Sequence, residues 1–387
     1  MLLTTSLSIT AALALNGPAE AAESPAPTPW QVEAFVDTAY PLNFNFPENH
    51  VYRATATTPR TNEFTLPAAG LRVSKELSTQ SPWWFEFGLH AGSAVSALSS
   101  SESTIPDADL RFAGPTAFRH LARANGGFRL RSGTAIGAGL FSSPIGIGGF
   151  WSKDNWNYTP SWESNAAAFY LSGMRVSQEL PEGFSLDLWV VNGWQTMADA
   201  NAAPSYLVAL NWAPSSRWFL SQQVYSGPEG ESIDPKAWRV LSDTQLTRQW
   251  ERLGLAAVWD LGRDGPDPLS GAPRALWTGG AVFARYRVVD RGPHQLFVAA
   301  RPELWWDPDG RMFGVSQRLS SATATVDWWF HDAILTRLEY RFDHSNADGG
   351  FFYRGALDAT GDNPTAGTQQ TLFLVLTAML RGPLGGG

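Results

Sequence analysis

The chain has no cysteine among its 387 residues, which excludes disulfide-stabilised domains, iron–sulfur clusters and thiolate zinc sites. Lysine occurs only three times and never after a glycine, so there is no Walker A loop for a nucleotide phosphate. Charged residues make up only 17% and the net charge is −8, which argues against a nucleic-acid partner held by phosphate contacts. After residue 21 no apolar run reaches the length of about 18 residues that a membrane-spanning helix needs.

Aromatic residues and glycine, by contrast, are abundant. The chain contains 18 Trp, 22 Phe and 36 Gly, and 44% of its residues are hydrophobic, which is too apolar for a disordered chain. Strands that are rich in aromatic residues and glycine but of modest mean hydropathy are typical of transmembrane β-barrels.

The first residues have the features of an export signal. An apolar run from Leu2 to Leu15 precedes a helix-breaking Asn-Gly-Pro and then Ala19-Glu20-Ala21, although no basic residue comes before the run. The predicted organisation is a signal peptide at 1–21, a Pro-rich linker at 22–30, an outer-membrane β-barrel at 31–381 and a Gly-rich tail at 382–387.

Most of the chain alternates polar and apolar residues with a period of two, which is the period of a β-strand. In Leu335 to Asp343 the charged residues occupy one register and the apolar residues the other. Four charges at a spacing of two cannot share one helix face. The same alternation occurs at Val32–Tyr40, Trp83–His90, Phe184–Val190, Val282–Val288 and Gln295–Leu304.

Short turns and long polar loops alternate along the chain. We count seven short turns, one of them at Asn125-Gly126-Gly127, and eight longer loops. This plan predicts an all-β fold, an antiparallel up-and-down transmembrane barrel of about 16 strands. Two weak segments, Thr116–Arg123 and the one that ends at Arg248, leave 14 strands open.

The cost of charge in lipid decides which register faces inward. An arginine on the lipid face near the bilayer midplane costs about 2–4 kcal/mol, so the charged register must face the lumen. The candidate pore-lining residues are Arg72, Glu86, Arg129, Arg131, Arg175, Asp187, Arg239, Asp243, Arg285, Arg287, Arg301, Glu303, Asp327, Arg337, Glu339, Arg341 and Asp343. Their mixed signs predict either a transverse field or salt bridges that only rigidify the wall. Candidates for aromatic girdles are Trp83, Trp212, Trp218, Trp259, Trp277 and Trp328.

The third long loop, near residues 141–163, is the candidate for a loop that folds into the pore. Its constriction candidates are Lys153, Asp154, Asn155 and Tyr158, and the alternative is that its aromatic residues only anchor the loop to the rim.

No cofactor, metal or catalytic site is predicted. Asp307-x-Asp309-Gly310 and Asp343–Gly349 fit acidic β-turns better than calcium loops because the twelve-residue ligand pattern is missing. The six histidines are scattered, and neither His-x-x-x-His nor Gly-x-Ser-x-Gly occurs, so an enzyme is not expected.

Several motifs resemble the putative β-barrel porin family of OmpL-like outer-membrane proteins. The most specific is Ser152-Lys153-Asp154-Asn155-Trp156-Asn157-Tyr158, followed by Phe169–Arg175, Val190–Trp194 and Leu338–Asp343. The resemblance implies an outer-membrane barrel that acts as a porin, and fold-level analogy adds a homo-trimer. The chain departs from the family at its end, because Thr371–Leu380 is followed by Arg-Gly-Pro-Leu-Gly-Gly-Gly instead of a terminal aromatic residue.

The predicted function is passive diffusion of small hydrophilic solutes or ions through a water-filled lumen, with outer-membrane lipid around the barrel. The alternatives are a non-conducting structural or adhesive barrel and a soluble, Trp-rich carbohydrate-binding β-protein.

Overall fold

A computed structural model describes residues 30–78, 81–100, 115–199 and 201–383. The predicted signal peptide, nearly all of the predicted linker and residues 384–387 of the predicted tail lie outside this part of the chain. Gly382 and Pro383 belong to the last strand, so the barrel runs slightly beyond both predicted boundaries.

Sixteen antiparallel strands form one closed barrel, which confirms the predicted fold and excludes 14 strands. They are β1 (Trp30–Asn43), β2 (Thr65–Lys75), β3 (Trp83–Ala91), β4 (Leu121–Arg129), β5 (Ala135–Ser142), β6 (Tyr170–Glu179), β7 (Phe184–Val191), β8 (Ser205–Ser215), β9 (Trp218–Gly227), β10 (Arg239–Gln249), β11 (Leu253–Asp264), β12 (Ala275–Arg291), β13 (His294–Asp307), β14 (Gln317–His331), β15 (Ile334–Ser345) and β18 (Thr368–Pro383). The barrel closes where β1 pairs with β18, from Gln31 opposite Pro383 to Asn43 opposite Thr371.

The remaining elements are small and lie in the long loops. Strands β16 (Phe352–Tyr353) and β17 (Thr365–Ala366) pair with each other, and the helices are α1 (Ser93–Ser100), α2 (Pro115–Phe118) and α3 (Trp162–Ala166). Single turns of 3-10 helix lie at Ser152–Asp154, Pro181–Gly183 and Pro235–Ala237. No helix in the described part of the chain is long and apolar enough to cross a membrane.

The predicted alternation is present in the strands, as β15 shows. Arg337, Glu339 and Arg341 are at most 4% exposed, whereas their neighbours Leu338 and Tyr340 are 44% and 40% exposed on the outer wall. An outer wall with apolar side chains on most strands, and a closed sheet with no free edge, suits a lipid environment and excludes a soluble sandwich.

Most of the predicted girdle tryptophans are on the outer wall, and one prediction is wrong. Trp83, Trp212, Trp259 and Trp328 are exposed there, but Trp277 is only 1% exposed. Trp277 shares the inward register with Gly279 and Phe283, and its indole fills the space that the missing side chain of Gly262 leaves on β11.

The two weak segments have local causes. The segment Thr116–Arg123 does not begin as a strand, because α2 occupies 115–118 and β4 begins only at Leu121. The second is a genuine strand in which Arg248 points outward beside a short turn. Its guanidinium carbon lies 4.0 Å and 4.6 Å from the ring centres of Trp218 and Trp250, and these cation–π contacts hold the charge in the aromatic belt.

One predicted turn is also wrong. Asn125-Gly126-Gly127 lies inside β4, and the chain reverses at 130–134 instead. The glycines are there for packing, because a Cβ on Gly127 or on Gly137 of β5 would overlap the inward-facing indole of Trp84.

The two faces of β15 lead to a test. We expect Leu338→Arg, at the middle of the lipid-facing register, to lower the free energy of unfolding by about 2–4 kcal/mol. Thr336→Arg on the same face, but near the short-turn end and so at a shallower depth, is the control, with an expected cost of about 0–1 kcal/mol. Denaturant unfolding in lipid vesicles, followed by tryptophan fluorescence, measures both. Equal losses would contradict the assigned membrane depth.

Candidate functional site: the lumen and its inserted loop

The third long loop, residues 143–169, folds into the lumen and is called loop 3 below. It leaves the wall after β5, crosses the lumen and contacts β1, β9, β10 and β13–β15 before it returns to β6. Tyr158, Thr159 and Trp162 are almost completely buried there. Helix α3 starts inside the lumen because Ser161 caps it, with Ser161 Oγ accepting from the Ser164 backbone N–H at 3.1 Å. The prediction of an inserted loop therefore agrees with the structure.

Glu339 holds the middle of loop 3 through the loop's backbone. Its carboxylate accepts from the backbone N–H groups of Tyr158 and Thr159, at 2.5 Å and 2.8 Å, and from the Thr159 hydroxyl at 2.6 Å. Charge-assisted hydrogen bonds of this kind are about twice as strong as neutral ones.

Three arginines, two on β15 beside Glu339 and one on β13, complete this clamp by donating to the loop's carbonyl groups. Arg301 and Arg341 both donate to the backbone carbonyl of Pro160, at 3.1 Å and 2.6 Å. Arg337 donates to the carbonyls of Ser152 and Asn155, each at 2.9 Å. We call Arg301, Arg337, Glu339 and Arg341 the wall clamp. Its members face the lumen as predicted, but loop 3 covers them, so they do not border open water.

The other predicted wall residues divide between buried pairs and the rim. Buried partners are Glu303 with Arg301 and Arg341, Asp343 with Arg341, Asp327 with Arg337 and Arg285, and Arg239 with Asp264. Near the short-turn end, Arg129 pairs with Glu179 and Arg287 with Asp290. Arg131 is exposed in the turn between β4 and β5 and not in a strand, so its predicted pore-lining position needs correction.

The four constriction candidates in loop 3 have different surroundings. Lys153 is buried in ion pairs with Glu33 at 2.6 Å and Asp154 at 2.7 Å. Tyr158 is buried against the wall, where its hydroxyl donates to Asp37 at 3.0 Å. Asp154 and Asn155 border open space. Lys153 and Tyr158 thus anchor the loop, but to the inner wall of the lumen and not through aromatic residues at the rim alone.

Open space remains on the opposite side of the lumen, between loop 3 and strands β2–β9. One cleft is lined by Trp84, Glu86, Asn125, Arg175, Asp187 and Asn211, among others. A second is lined by Arg72, Arg123, Asp154, Asn155 and residues 146–151 of loop 3. Both border Ser142 and Ser143, and we call them together the lumen cleft. The predicted Arg72, Glu86, Arg175 and Asp187 therefore meet here.

The charges of the lumen cleft are unequally paired. Arg72 lies 3.4 Å from Glu86, and Asp187 accepts from the Asn211 amide at 2.9 Å. Among the described residues no ion pair includes Arg123 or Arg175. Instead, the Arg175 guanidinium carbon lies 5.3 Å from the ring centre of Trp189 and the Arg123 guanidinium carbon 5.9 Å from that of Trp151. Two guanidinium groups in the cleft thus keep their positive charge uncompensated by a direct ionic contact.

Sequence reasoning missed Arg123 and Asn125 in this cleft. The helix α2 and a bulge in the pairing of β3 with β4 interrupt the alternation before Arg123. Asn125 was hidden in a presumed turn, although its amide donates to Glu86 and to the Leu140 carbonyl, both at 3.0 Å.

A buried acidic cluster lies on the far side of loop 3. Glu163 of α3, Asp243 of β10 and Asp260 of β11 each place a carboxylate oxygen within 4.8 Å of the others. Burial, reinforced by the neighbouring Asp243, raises the pKa of Glu163 to about 8. This cluster was not predicted, because Glu163 comes from a loop that is far in sequence from the consecutive strands β10 and β11.

The motif at Asp307 behaves as an acidic turn. The Asp307 carboxylate accepts from the backbone N–H groups of Arg311, Met312 and Phe313 at 2.7–3.1 Å, and Asp309 accepts from that of Leu276 at 2.8 Å. These donors occupy the oxygens that a cation would need, in agreement with the predicted turn.

Comparison with known proteins identifies the family. The model for "Putative beta-barrel porin-2, OmpL-like" matches residues 29–380. The chain belongs to this family. No curated protein matches its sequence significantly. Family and fold place this porin in the outer membrane, as predicted.

Solved outer-membrane channels share the fold at very low sequence identity. The channel DcaP of Acinetobacter baumannii has a TM-score of 0.56 and 10% identity, with 92% of this chain and 99% of that chain covered. OmpF of Salmonella typhi, solved with daunomycin, has a TM-score of 0.56 and 9% identity, with coverages of 91% and 97%. An anion-selective porin from Comamonas acidovorans has a TM-score of 0.53 and 10% identity, with coverages of 91% and 99%.

The wall clamp predicts that the stability lost when a carboxylate is removed depends on whether that carboxylate contacts loop 3. We expect Glu339→Ala to lower the free energy of unfolding by about 3–5 kcal/mol, because it leaves buried donors and arginines without their acceptor. Glu179→Ala, which removes the largely exposed partner of Arg129, is the control, with an expected loss of at most about 1 kcal/mol. Urea unfolding in vesicles gives both values. A loss at Glu339 no larger than that at Glu179 would show that the clamp does not hold the loop.

Proposed function

We propose that solutes cross this porin by passive diffusion through the lumen cleft, between loop 3 and the inner wall of β2–β9. The observation that carries the proposal is the one-sided position of loop 3. Its buried half is fixed to β13–β15 by the wall clamp, and open space lined by polar and charged side chains remains on the other side. The pathway is therefore narrower than a 16-stranded barrel alone would suggest.

The cleft favours small anionic solutes over cationic ones. In the described part of the chain, Arg123, Arg175 and Asp187 are its charged groups without a direct ionic partner, which leaves an excess of one positive charge, while Glu86 is paired with Arg72 and Asp154 with Lys153. A guanidinium group about 8 Å from a permeating ion contributes about 0.5 kcal/mol in bulk water, or roughly a factor of two in occupancy. The aromatic rings beside both arginines limit their movement and keep these charges at the wall.

A planar-bilayer experiment tests the path and the selectivity together. In a KCl gradient we expect the refolded protein to conduct. The sign of the reversal potential should show that chloride permeates more readily than potassium. Arg123→Gln with Arg175→Gln should shift the anion-to-cation permeability ratio toward cations by about twofold per charge. Arg131→Gln, in the exposed turn, is the control and should change the ratio little. Absence of conductance would favour the structural or adhesive barrel, and an unchanged ratio in the double variant would place the path elsewhere.

We propose a channel without catalytic activity. Two of the histidines lie close together, but their ring nitrogens face backbone carbonyls, His90 Nε2 that of Arg119 at 3.0 Å and His120 Nδ1 that of His90 at 2.9 Å. This arrangement does not offer a general base to a nucleophile.

We also propose a homo-oligomer, with a trimer as the expected state. A polar cluster on the outer wall supports it, at the middle of β9 and β10. Gln222 donates to the Ser242 hydroxyl at 3.0 Å and accepts from that of Thr244 at 2.7 Å. Polar side chains at this depth are better accommodated against another subunit than against lipid.

Light scattering in detergent, corrected for bound detergent, measures the protein mass directly. We expect a multiple of the protomer mass for the wild type. Gln222→Leu with Thr244→Val should shift the population toward the monomer, and Leu376→Val on the distant outer face of β18 should not. A monomeric wild type would contradict the oligomer.

A further inference from the structure

The acidic cluster between loop 3 and the wall has an unusual composition for a buried site. Asp243 and Asp260 are direct cross-strand partners on β10 and β11, so two carboxylates project from opposite positions into the lumen. Glu163 enters from α3 and places a third carboxylate against them, with one oxygen of each residue within 4.8 Å of the others. All three side chains are buried, at 1% exposure or less. Like charges placed directly opposite on paired strands destabilise a sheet unless something offsets them.

Within the described ranges, no ion pair gives a member of the cluster a cationic partner. The groups that do contact it are neutral donors. Asp243 accepts from the Gly146 backbone N–H at 3.3 Å and the Gln245 amide at 2.7 Å, and Glu163 Oε2 accepts from the hydroxyls of Ser161 and Ser164 at 3.1 Å. Neutral donors orient the carboxylates but supply no positive charge to offset them.

A second observation points to a missing ligand. Glu163 Oε1 and Asp260 Oδ1 are buried and have no hydrogen-bond donor. The same is true of Gln223 Oε1, a neutral oxygen outside the carboxylate cluster and on the strand beside it. Gln223 is 2% exposed and is the cross-strand partner of Asp243, while its amide nitrogen donates to the Pro144 carbonyl of loop 3 at 2.7 Å. A buried acceptor without a donor is costly, so three of them in one region call for an electropositive partner.

We propose that Glu163, Asp243 and Asp260 bind one calcium ion that ties the first part of loop 3 to β10 and β11. Carboxylate and carbonyl oxygens are the ligands that Ca²⁺ prefers, at about 2.3–2.6 Å. Two oxygens on one Ca²⁺ can be no more than about 4.8 Å apart at a bond length of about 2.4 Å, which the cluster satisfies. Mg²⁺ requires about 2.0–2.1 Å and a near-ideal octahedron and dehydrates reluctantly, so a site of three protein carboxylates suits the more flexible coordination of Ca²⁺ better.

The site would fix the side of loop 3 that the wall clamp does not reach. The clamp holds residues 152–160, whereas Pro144 and Gly146 hydrogen-bond to β9 and β10, next to the acidic cluster. Residues 146–151 then border the lumen cleft. A bound Ca²⁺ would therefore set the width of the cleft from its loop side.

Ion binding can be measured without any transport assay. The protein is refolded in detergent free of lipopolysaccharide, stripped with EDTA and titrated with Tb³⁺, a Ca²⁺ substitute whose luminescence is sensitised by nearby indoles such as Trp162. We expect one saturable site that Ca²⁺ competes for more strongly than Mg²⁺. Glu163→Gln and Asp260→Asn should each lower the affinity for Ca²⁺ by at least about tenfold, because even changes outside the ligand shell cause losses of that size at metal sites. Asp154→Asn, a loop 3 carboxylate outside the cluster, should bind as the wild type does.

Thermal unfolding provides the second readout. Saturating Ca²⁺ should raise the melting temperature of the wild type and of Asp154→Asn, but not of the two cluster variants, and heat-modifiable gel mobility shows which variants fold. A wild type with no sensitised signal and no Ca²⁺-dependent melting shift would overturn the proposal and indicate that the carboxylates share protons. Equal binding in folded cluster variants would overturn it by placing the ion elsewhere. Either result leaves the proposed diffusion path intact, because conductance through the cleft is measured separately.

Discussion

The contacts between inward-pointing charged side chains and the backbone of loop 3 determine the architecture of this lumen. A barrel of 16 strands closes its own hydrogen bonds, but its interior would be an unrestricted water-filled space. Glu339 and the three clamp arginines restrict that space by attaching loop 3 to β13–β15. Because these groups are buried, their hydrogen bonds act in a region of low dielectric, where they are stronger than at a wet surface.

The lumen is consequently asymmetric. On the side of β10–β18, aromatic residues from the long loops pack above the clamp, and Trp162 contacts Phe313, Phe351 and Phe352. On the side of β2–β9, the charged and amide groups remain next to open space. Charge in the same inward register thus has two roles. It holds structure where loop 3 covers it and faces the diffusion path where the loop does not.

The sequence predicts the barrel well because alternation and loop length are local signals. The strand number, the alternation of seven short turns with eight long loops and the inward register of the charges follow from a period of two and from the cost of arginine in lipid. The insertion of loop 3 could be suggested from its length and composition. Which wall it lies against could not, because that depends on hydrogen bonds between positions such as Thr159 and Glu339 that are 180 residues apart.

The same limit explains the individual errors. Asn125-Gly126-Gly127 looks like a turn to any local rule, but its glycines are selected by the indole of Trp84 on the next strand. Trp277 looks like a girdle residue, but it fills the space above a glycine on β11. In each case a residue on a neighbouring strand decides the role, and the pairing of strands brings it there.

The wall clamp binds loop 3 mainly through main-chain carbonyl and N–H groups. Every residue offers the carbonyl, and every residue except proline also offers the N–H. The anchorage is thereby largely indifferent to the amino acids that the loop carries at those points. Side chains on the edge of the loop that borders the cleft can be exchanged while the path of the loop stays the same. Solute selection and loop attachment therefore depend on different groups. A barrel built in this way can acquire a new solute preference by substitution on the cleft side of the loop, as at Gly149, where a Cβ would meet no atom closer than 3.7 Å, without having to fold differently.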